Sequence, residues 1–206
     1  MRRHMLAALF ALAALGAVAQ GAGVSTDPRQ APAGTYQMET RHTQVVFAIS
    51  HFGLTDYYGR FEKVSGTLNF NPAAPEKSAV DVTIDTASAN VMNGTLVGEL
   101  VGPTVFDSAH FPTATFKSTG VTRTGPAAGT MTGDLTIHGV TKPVTFDVTF
   151  NGGLPAPMGG AGYDLGFHAT AVIKRSDFGL DGMAWSALVG SEVKLTIEAM
   201  FVQQKS

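Results

Sequence analysis

The chain has 206 residues, with 14 Lys and Arg against 16 Asp and Glu, and it contains no cysteine. A mildly acidic chain without a basic cluster excludes nucleic-acid binding, whose affinity comes mainly from phosphate neutralisation. It also lacks the Lys/Arg patch that holds a protein on an anionic membrane surface. Disulfides are excluded as well, so stability must rest on packing and backbone pairing.

Arg2 and Arg3 precede an apolar run from Met5 to Val18, and small residues close it at Ala17-Val18-Ala19. A charged start, a short apolar stretch and an A-x-A site predict a secretory signal peptide over residues 1–19, with Ala22 as a second cleavage point. The run of about 14 residues is shorter than the roughly 20 that a membrane span needs, so no stable membrane insertion is expected. With no cysteine after it, an acylated lipoprotein is excluded. The mature chain keeps 12 Lys and Arg against 16 Asp and Glu, a net charge of −4. It is expected to be a soluble periplasmic or secreted protein of about 187 residues, enough for one sizeable core. Residues 20–34, rich in Pro, Ala and polar side chains, read as a flexible N-terminus leading into a single domain over 35–203.

Within that domain the dominant signal is alternation of period two, which predicts strands with one apolar face. A first strand near Tyr36–Arg41 is followed by one carrying Val45, Phe47 and Ile49. Gly59–Phe70 reads as one long strand, with Gly66 as a kink or bulge. Val80, Val82 and Ile84 alternate with Asp81, Thr83 and Asp85. Only Ala89–Gly102 resists a strand reading; Val91, Met92, Leu96 and Leu100 fit a helical face loosely, against Gly94 and Gly98. Strands resume at Thr113–Val121 and Thr130–His138, with His138-Gly139 as a turn. Val144, Phe146, Val148 and Phe150 alternate with Thr145, Asp147 and Thr149. After a Pro- and Gly-rich loop at Gly152–Gly160 come Gly162–Lys174 and the alternating run from Val193 to Phe201. The expectation is all-β: an extended antiparallel up-and-down barrel of about eight strands, or a β-sandwich, with one short helical segment.

A barrel of this strand number is either packed solid or holds one slender ligand, and the apolar faces look the same in both cases. Catalytic signatures are sparse. No two of His42, His51, His110, His138 and His168 stand at metal-binding spacing, no Gly-x-Ser-x-Gly elbow exists, and a thiol nucleophile is impossible. Neither a metal nor a cofactor is expected. Asp177-Phe178-Gly179 lacks every companion of the kinase metal motif; Arg175 and Asp177 read instead as a surface pair at a corner. A hydrolase or isomerase of an apolar substrate would need a His and a carboxylate pointing inward. A structural or stress-linked protein would need only a packed interior.

Five segments in order resemble the YceI-like family. They are His42-Thr43-Gln44-Val45-Val46-Phe47-Ala48-Ile49-Ser50-His51-Phe52-Gly53, then Gly59-Arg60-Phe61-Glu62-Lys63-Val64-Ser65-Gly66-Thr67-Leu68. Phe106-Asp107 with Phe111-Pro112-Thr113-Ala114-Thr115-Phe116 follows. Gly133-Asp134-Leu135-Thr136-Ile137-His138-Gly139-Val140-Thr141-Lys142-Pro143-Val144 and Arg175-Ser176-Asp177-Phe178-Gly179-Leu180 complete the set. The resemblance spans roughly Gly34 to Val202. It implies a lipocalin-like barrel whose apolar pore holds a polyisoprenoid, such as a quinone tail or a polyprenyl phosphate, in a periplasmic or secreted binding protein that is not an enzyme. Each buried CH₂ contributes about 0.8 kcal/mol, so a long chain needs no covalent or ionic anchor. Candidate wall residues are Phe47, Ile49, Phe61, Phe70, Val82, Ile84, Phe116, Leu135, Ile137, Phe146, Val148, Phe167 and Ile173. Phe52, Tyr57, Tyr58 and Trp185 are expected in loops, where aromatics gate a mouth or pack on the surface. The chain departs from the family at Glu99-Leu100-Val101, where similar proteins carry His-Leu-Arg, and at Val105-Phe106-Asp107, where they carry Phe-Phe-Asp. The departure leaves the contact to the ligand's polar end open, and the oligomeric state is open too, a dimer included.

Overall fold

A computed structural model describes residues 23–157, 162–182 and 186–204. The signal-peptide segment, part of the loop before residue 162 and Trp185 lie outside the described residues. The alternating runs form eleven strands: β1 (Gly34–Met38), β2 (Gln44–His51), β3 (Thr55–Phe61), β4 (Val64–Phe70), β5 (Ala79–Asp85), β6 (Ala89–Asn90), β7 (Thr113–Arg123), β8 (Ala128–Ile137), β9 (Val140–Pro155), β10 (Tyr163–Lys174) and β11 (Val189–Gln203). One helix, α1 (Gly94–Val101), starts where the Asn93 side chain accepts hydrogen bonds from the Thr95 and Leu96 amides, a standard N-cap.

The order β1-β4-β5-β7-β8-β9-β10-β11 closes on itself through β1–β11 pairing, giving an eight-stranded antiparallel barrel rather than a sandwich. Strand β11 is long enough to do two jobs. Its last residues pair with β1, while Val189–Glu198 pairs with β2, which carries β3 and β6 as a side extension. The single strand expected over Gly59–Phe70 is two strands. The break falls at Glu62-Lys63, whose amides donate to the Ser88 carbonyl (3.1 Å) and the Ser88 hydroxyl (3.0 Å) instead of to a neighbouring strand. There the chain exchanges β2 and β6 as partners for β1 and β5.

Closure explains why the apolar faces converge. Cross-strand partners place like faces together: Tyr36 opposite Leu68, Val82 opposite Phe116, Phe116 opposite Leu135, and Phe167 opposite both Phe150 and Ala199. Two buried clusters result. One, around Tyr36, Leu68, Phe150, Leu165 and Phe201, lies in the half near the β7–β8 turn. The other joins Ala114, Leu135, Ile137, Ile173, Phe178 and Leu180 at the opposite end. That end also holds the two-residue β8–β9 turn, where His138 (φ 53°) and Gly139 (φ 74°) both take the left-handed conformation.

Arg175 is not half of a surface pair with Asp177. It is buried at 6% exposure, and its guanidinium donates to the carbonyls of Gly190, Leu180, Ser186 and Val189 and to the Ser186 hydroxyl. The five-donor fork suits carbonyls gathered from Leu180 and Ser186 before β11 and from its first two residues, next to the register shift of β11 against β2 between Val189 and Val193. The lead-in before β1 carries contacts of its own: Ser25 pairs with Gly153, Pro28–Gln30 forms a 3₁₀ turn, and Ala31 is buried in the first cluster.

Tyr36 is fully buried and donates its hydroxyl to the Pro32 carbonyl at 2.7 Å. Burial, reinforced by nearby Tyr163, pushes the phenol up to about 12. An unfolded tyrosine titrates near 10. The neutral phenol therefore stabilises the fold fully below about pH 10, and that contribution disappears as pH rises through about 12. Tyr36→Phe is expected to lose about 1 kcal/mol at pH 8 through the missing hydrogen bond, yet to lose less than the parent between pH 8 and 11. Thermal melts at both pH values read this; parallel losses in the two proteins would contradict it.

Candidate binding cavity

Inside the barrel is a cavity of about 260 Å³, bordered by residues from every strand of the closed set. Ten of the thirteen residues expected on the wall border it: Phe61, Phe70, Val82, Ile84, Phe116, Leu135, Ile137, Phe146, Val148 and Phe167. Phe47, Ile49 and Ile173, also expected there, do not. Ile173 is buried in the cluster that plugs one end, with Ile137, Phe178 and Leu180. Phe47 and Ile49 lie on β2, lower than Val45, which does reach the cavity. The Phe47 ring lies over Gly59, where any Cβ would collide with it, and leans on Phe61 at 5.6 Å between centroids.

Several wall residues were not singled out from the sequence. Val45, Ile197, Ala199 and Phe201 belong to alternating runs that were legible, and Phe150 continues the Phe146–Val148 face. Phe106 is different. It comes from the loop after α1, where no period exists, and packs edge-on against Phe61 at 5.4 Å to form part of the cavity floor. The family departure at Val105 leaves a buried apolar side chain, at 3% exposure, beside it.

The two ends differ. The floor is apolar, made of Ile84, Phe106, Ala114 and Ile137. The other end is a mouth rimmed by Pro28, Pro72, Pro75 and Pro126, and it holds the cavity's polar side chains, among them Arg29, Arg123 and Ser78. Arg29 pairs with Asp27 at 2.9 Å, and this hydrogen-bonded guanidinium holds the Asp27 carboxyl down at about 2. Arg123 donates to the Gly125 carbonyl (2.8 Å) and the Pro126 carbonyl (3.3 Å), bracing the β7–β8 turn. Among the described residues no His and no carboxylate borders the cavity, and no group of three His, Asp or Glu is placed to hold a metal. Phe52, Tyr57 and Tyr58 are at the plugged end: Phe52 sits in the β2–β3 turn, and the two tyrosines are exposed on strand β3 rather than in a loop. No helix among the described residues is long and apolar enough to cross a membrane.

A closed antiparallel barrel around an apolar cavity with one plugged end and one polar mouth defines a lipocalin-like class of protein. The model of the YceI-like domain matches residues 36–201, and the chain belongs to the YceI-like family. A UPF0312 protein of Pseudomonas savastanoi pv. phaseolicola is 39% identical over 184 residues, covering 88% of this chain and 90% of its own. Among solved structures, BcnA of Burkholderia cenocepacia superposes with a TM-score of 0.70 at 27% identity, over 79% of this chain and 98% of its own. A polyisoprenoid binding domain from Saccharophagus degradans, implicated in plant cell wall breakdown, shares the fold at a TM-score of 0.63 and 16% identity, over 82% and 98% of the two chains.

Proposed function

We propose that this protein is an exported carrier or store that holds the chain of a polyisoprenoid or quinone-type lipid inside its barrel. The observation that carries the reading is the distribution of polarity: an apolar cavity of about 260 Å³ whose polar side chains are confined to one mouth. A solidly packed structural barrel has no such void, because protein interiors leave few gaps larger than a water molecule. The volume lies just below the usual range for small-molecule sites, which suits one slender chain better than a bulky ring system. A polyisoprenoid has that cross-section, and the Saccharophagus domain of the same fold is described as binding one. The chain enters through the prolyl-rimmed mouth and its polar end stays beside Arg29 and Arg123. A hydrolase or isomerase needs an acid–base pair at the substrate, and the wall offers apolar contact instead.

The test combines ligand and location. The protein is released from the periplasm of its producing cells, extracted with organic solvent, and the extract analysed by mass spectrometry while the N-terminus is sequenced. A prenyl lipid near one per chain and an N-terminus at Gln20 are expected. Extracts with no lipid above a denatured control would overturn the carrier reading; retention of Met1 in cytoplasmic protein would overturn export.

A further inference from the structure

On the outside of the barrel, behind the cavity wall, lies a second cleft of about 310 Å³. Its floor is bare backbone at Gly152 and Gly166, next to the bulge at Gly166/Phe167. The lead-in segment forms one side: Val24 packs so closely on Gly152 that a Cβ there would sit 2.6 Å from the Val24 methyl. Paired backbone hydrogen bonds between Ser25 and Gly153, at 2.8 and 2.9 Å, hold that segment in place. Leu154 and Met200 add apolar surface, and Asp164 borders the same space.

Asp164 is the anomaly. It is 6% exposed, and its Oδ1 has no hydrogen-bond partner. A buried carboxylate is costly unless a donor or a cation meets it, and the donors nearby are committed elsewhere. His168 Nδ1 lies 2.6 Å from Glu198 Oε1, and the Asn151 amide donates to Glu198 Oε2 at 3.2 Å. Arg41 and His42 both bond Glu39, at 2.8 and 2.6 Å. Asp164 and Glu198 both border the cleft, no Lys or Arg is among the described residues that line it, and the charge of Glu39 reaches Asp164 as well.

We propose that Asp164 anchors a second binding site, outside the lipid cavity, for a small primary alkylammonium ion. The ammonium brings three N–H donors and one positive charge, which is what the Asp164 carboxylate and the local surplus of negative charge lack. The alkyl body lies against Val24, Leu154 and Met200. A divalent metal fits poorly, because calcium and magnesium ask for about six oxygen ligands and the described residues offer no converging group of three. Burial, and then the charge of Glu39, raise the Asp164 carboxyl above the usual carboxylate range, as an unmet acceptor in an acidic setting requires. The site stands independently of the lipid reading, because Asp164 does not border the inner cavity.

The probe is n-butylammonium chloride, titrated calorimetrically into the full-length mature protein at pH 8. Saturable binding is expected, with n-butanol and tetramethylammonium much weaker, because the first lacks the charge and the second lacks N–H donors. Asp164→Asn, which keeps the shape and removes the charge, is expected to weaken binding by about tenfold or more while bound lipid is unchanged. No saturable binding, or equal binding of all three probes by the parent protein, would overturn the site even if the variant did not fold. Equal affinity in a folded Asp164→Asn variant would do the same.

Discussion

Replacing Phe146 by aspartate is expected to empty the barrel of lipid and to lower stability by roughly 3–5 kcal/mol. Phe146 is 7% exposed, borders the cavity, and meets Phe116 edge-to-face at 5.1 Å. The substitution removes that ring and puts a carboxylate where the surrounding side chains are apolar. Phe146→Leu separates the two effects: it keeps an apolar wall, costs about 1.5 kcal/mol or a little more, and shifts lipid affinity without abolishing it. A third variant approaches from the other direction. Ala169 borders the cavity from the middle of β10, and Ala169→Phe places a ring in the void. Overpacking costs about 1–3 kcal/mol, so the fold survives while the volume open to lipid shrinks. Urea melts and lipid-to-protein ratios measured on all three variants decide the matter. Undiminished lipid in both folded Ala169→Phe and Phe146→Asp would show that the ligand, if any, lies elsewhere.

Why ten of thirteen expected wall residues reach the cavity follows from period two. Alternation fixes which face of a strand is apolar, and in a closed antiparallel barrel every such face points inward, whatever the partner. It says nothing about height along the barrel axis. Ile173 has the same sequence signature as Ala169, but lies nearer the plugged end, and only the register to β11 (Ile173 opposite Val193, Ala169 opposite Ile197) shows this. The same limit hid the break at Glu62-Lys63, because a strand that changes partners keeps its alternation on both sides. Phe106 and the Asp164 cleft were illegible for another reason. Both depend on segments distant in sequence meeting: the loop after α1 on β3, and the lead-in on Gly152. Ser88 accepting from the Lys63 amide is a contact of the same long-range kind. The order of family segments carried the overall fold across those gaps, whereas Arg175 was misplaced by its neighbours in sequence, which suggested an exposed corner.

That residue supports the second large prediction. Arg175→Met is expected to destabilise the protein by about 3–5 kcal/mol, and to lower the melting temperature by on the order of 10 °C. Its guanidinium donates five hydrogen bonds, four of them to the backbone carbonyls of Leu180, Ser186, Val189 and Gly190 at the plugged end. Methionine fills much of the space but donates nothing, so each carbonyl is left desolvated at a cost of about 1–3 kcal/mol before relaxation. Arg175→Lys should recover only part of the loss, since a single ammonium cannot span acceptors arranged around a planar fork. Asp177→Asn supplies the contrast. Asp177 is exposed, and the Arg175 guanidinium does not reach it, so its effect should stay within about 0.5 kcal/mol. A surface pair would give the opposite pattern, with two small and matching losses. The consequence for binding is directional. Arg175 ties Leu180, Ser186, Val189 and Gly190 to the end of β10, next to the cluster that contains Phe178 and Leu180. Loosening it should raise amide exchange at Val189 and Gly190 and open the cavity floor to water, so that folded Arg175→Lys protein releases its lipid faster than the parent. Unchanged exchange and release rates in that variant would mean that the plug is held by Phe178 and Leu180 alone.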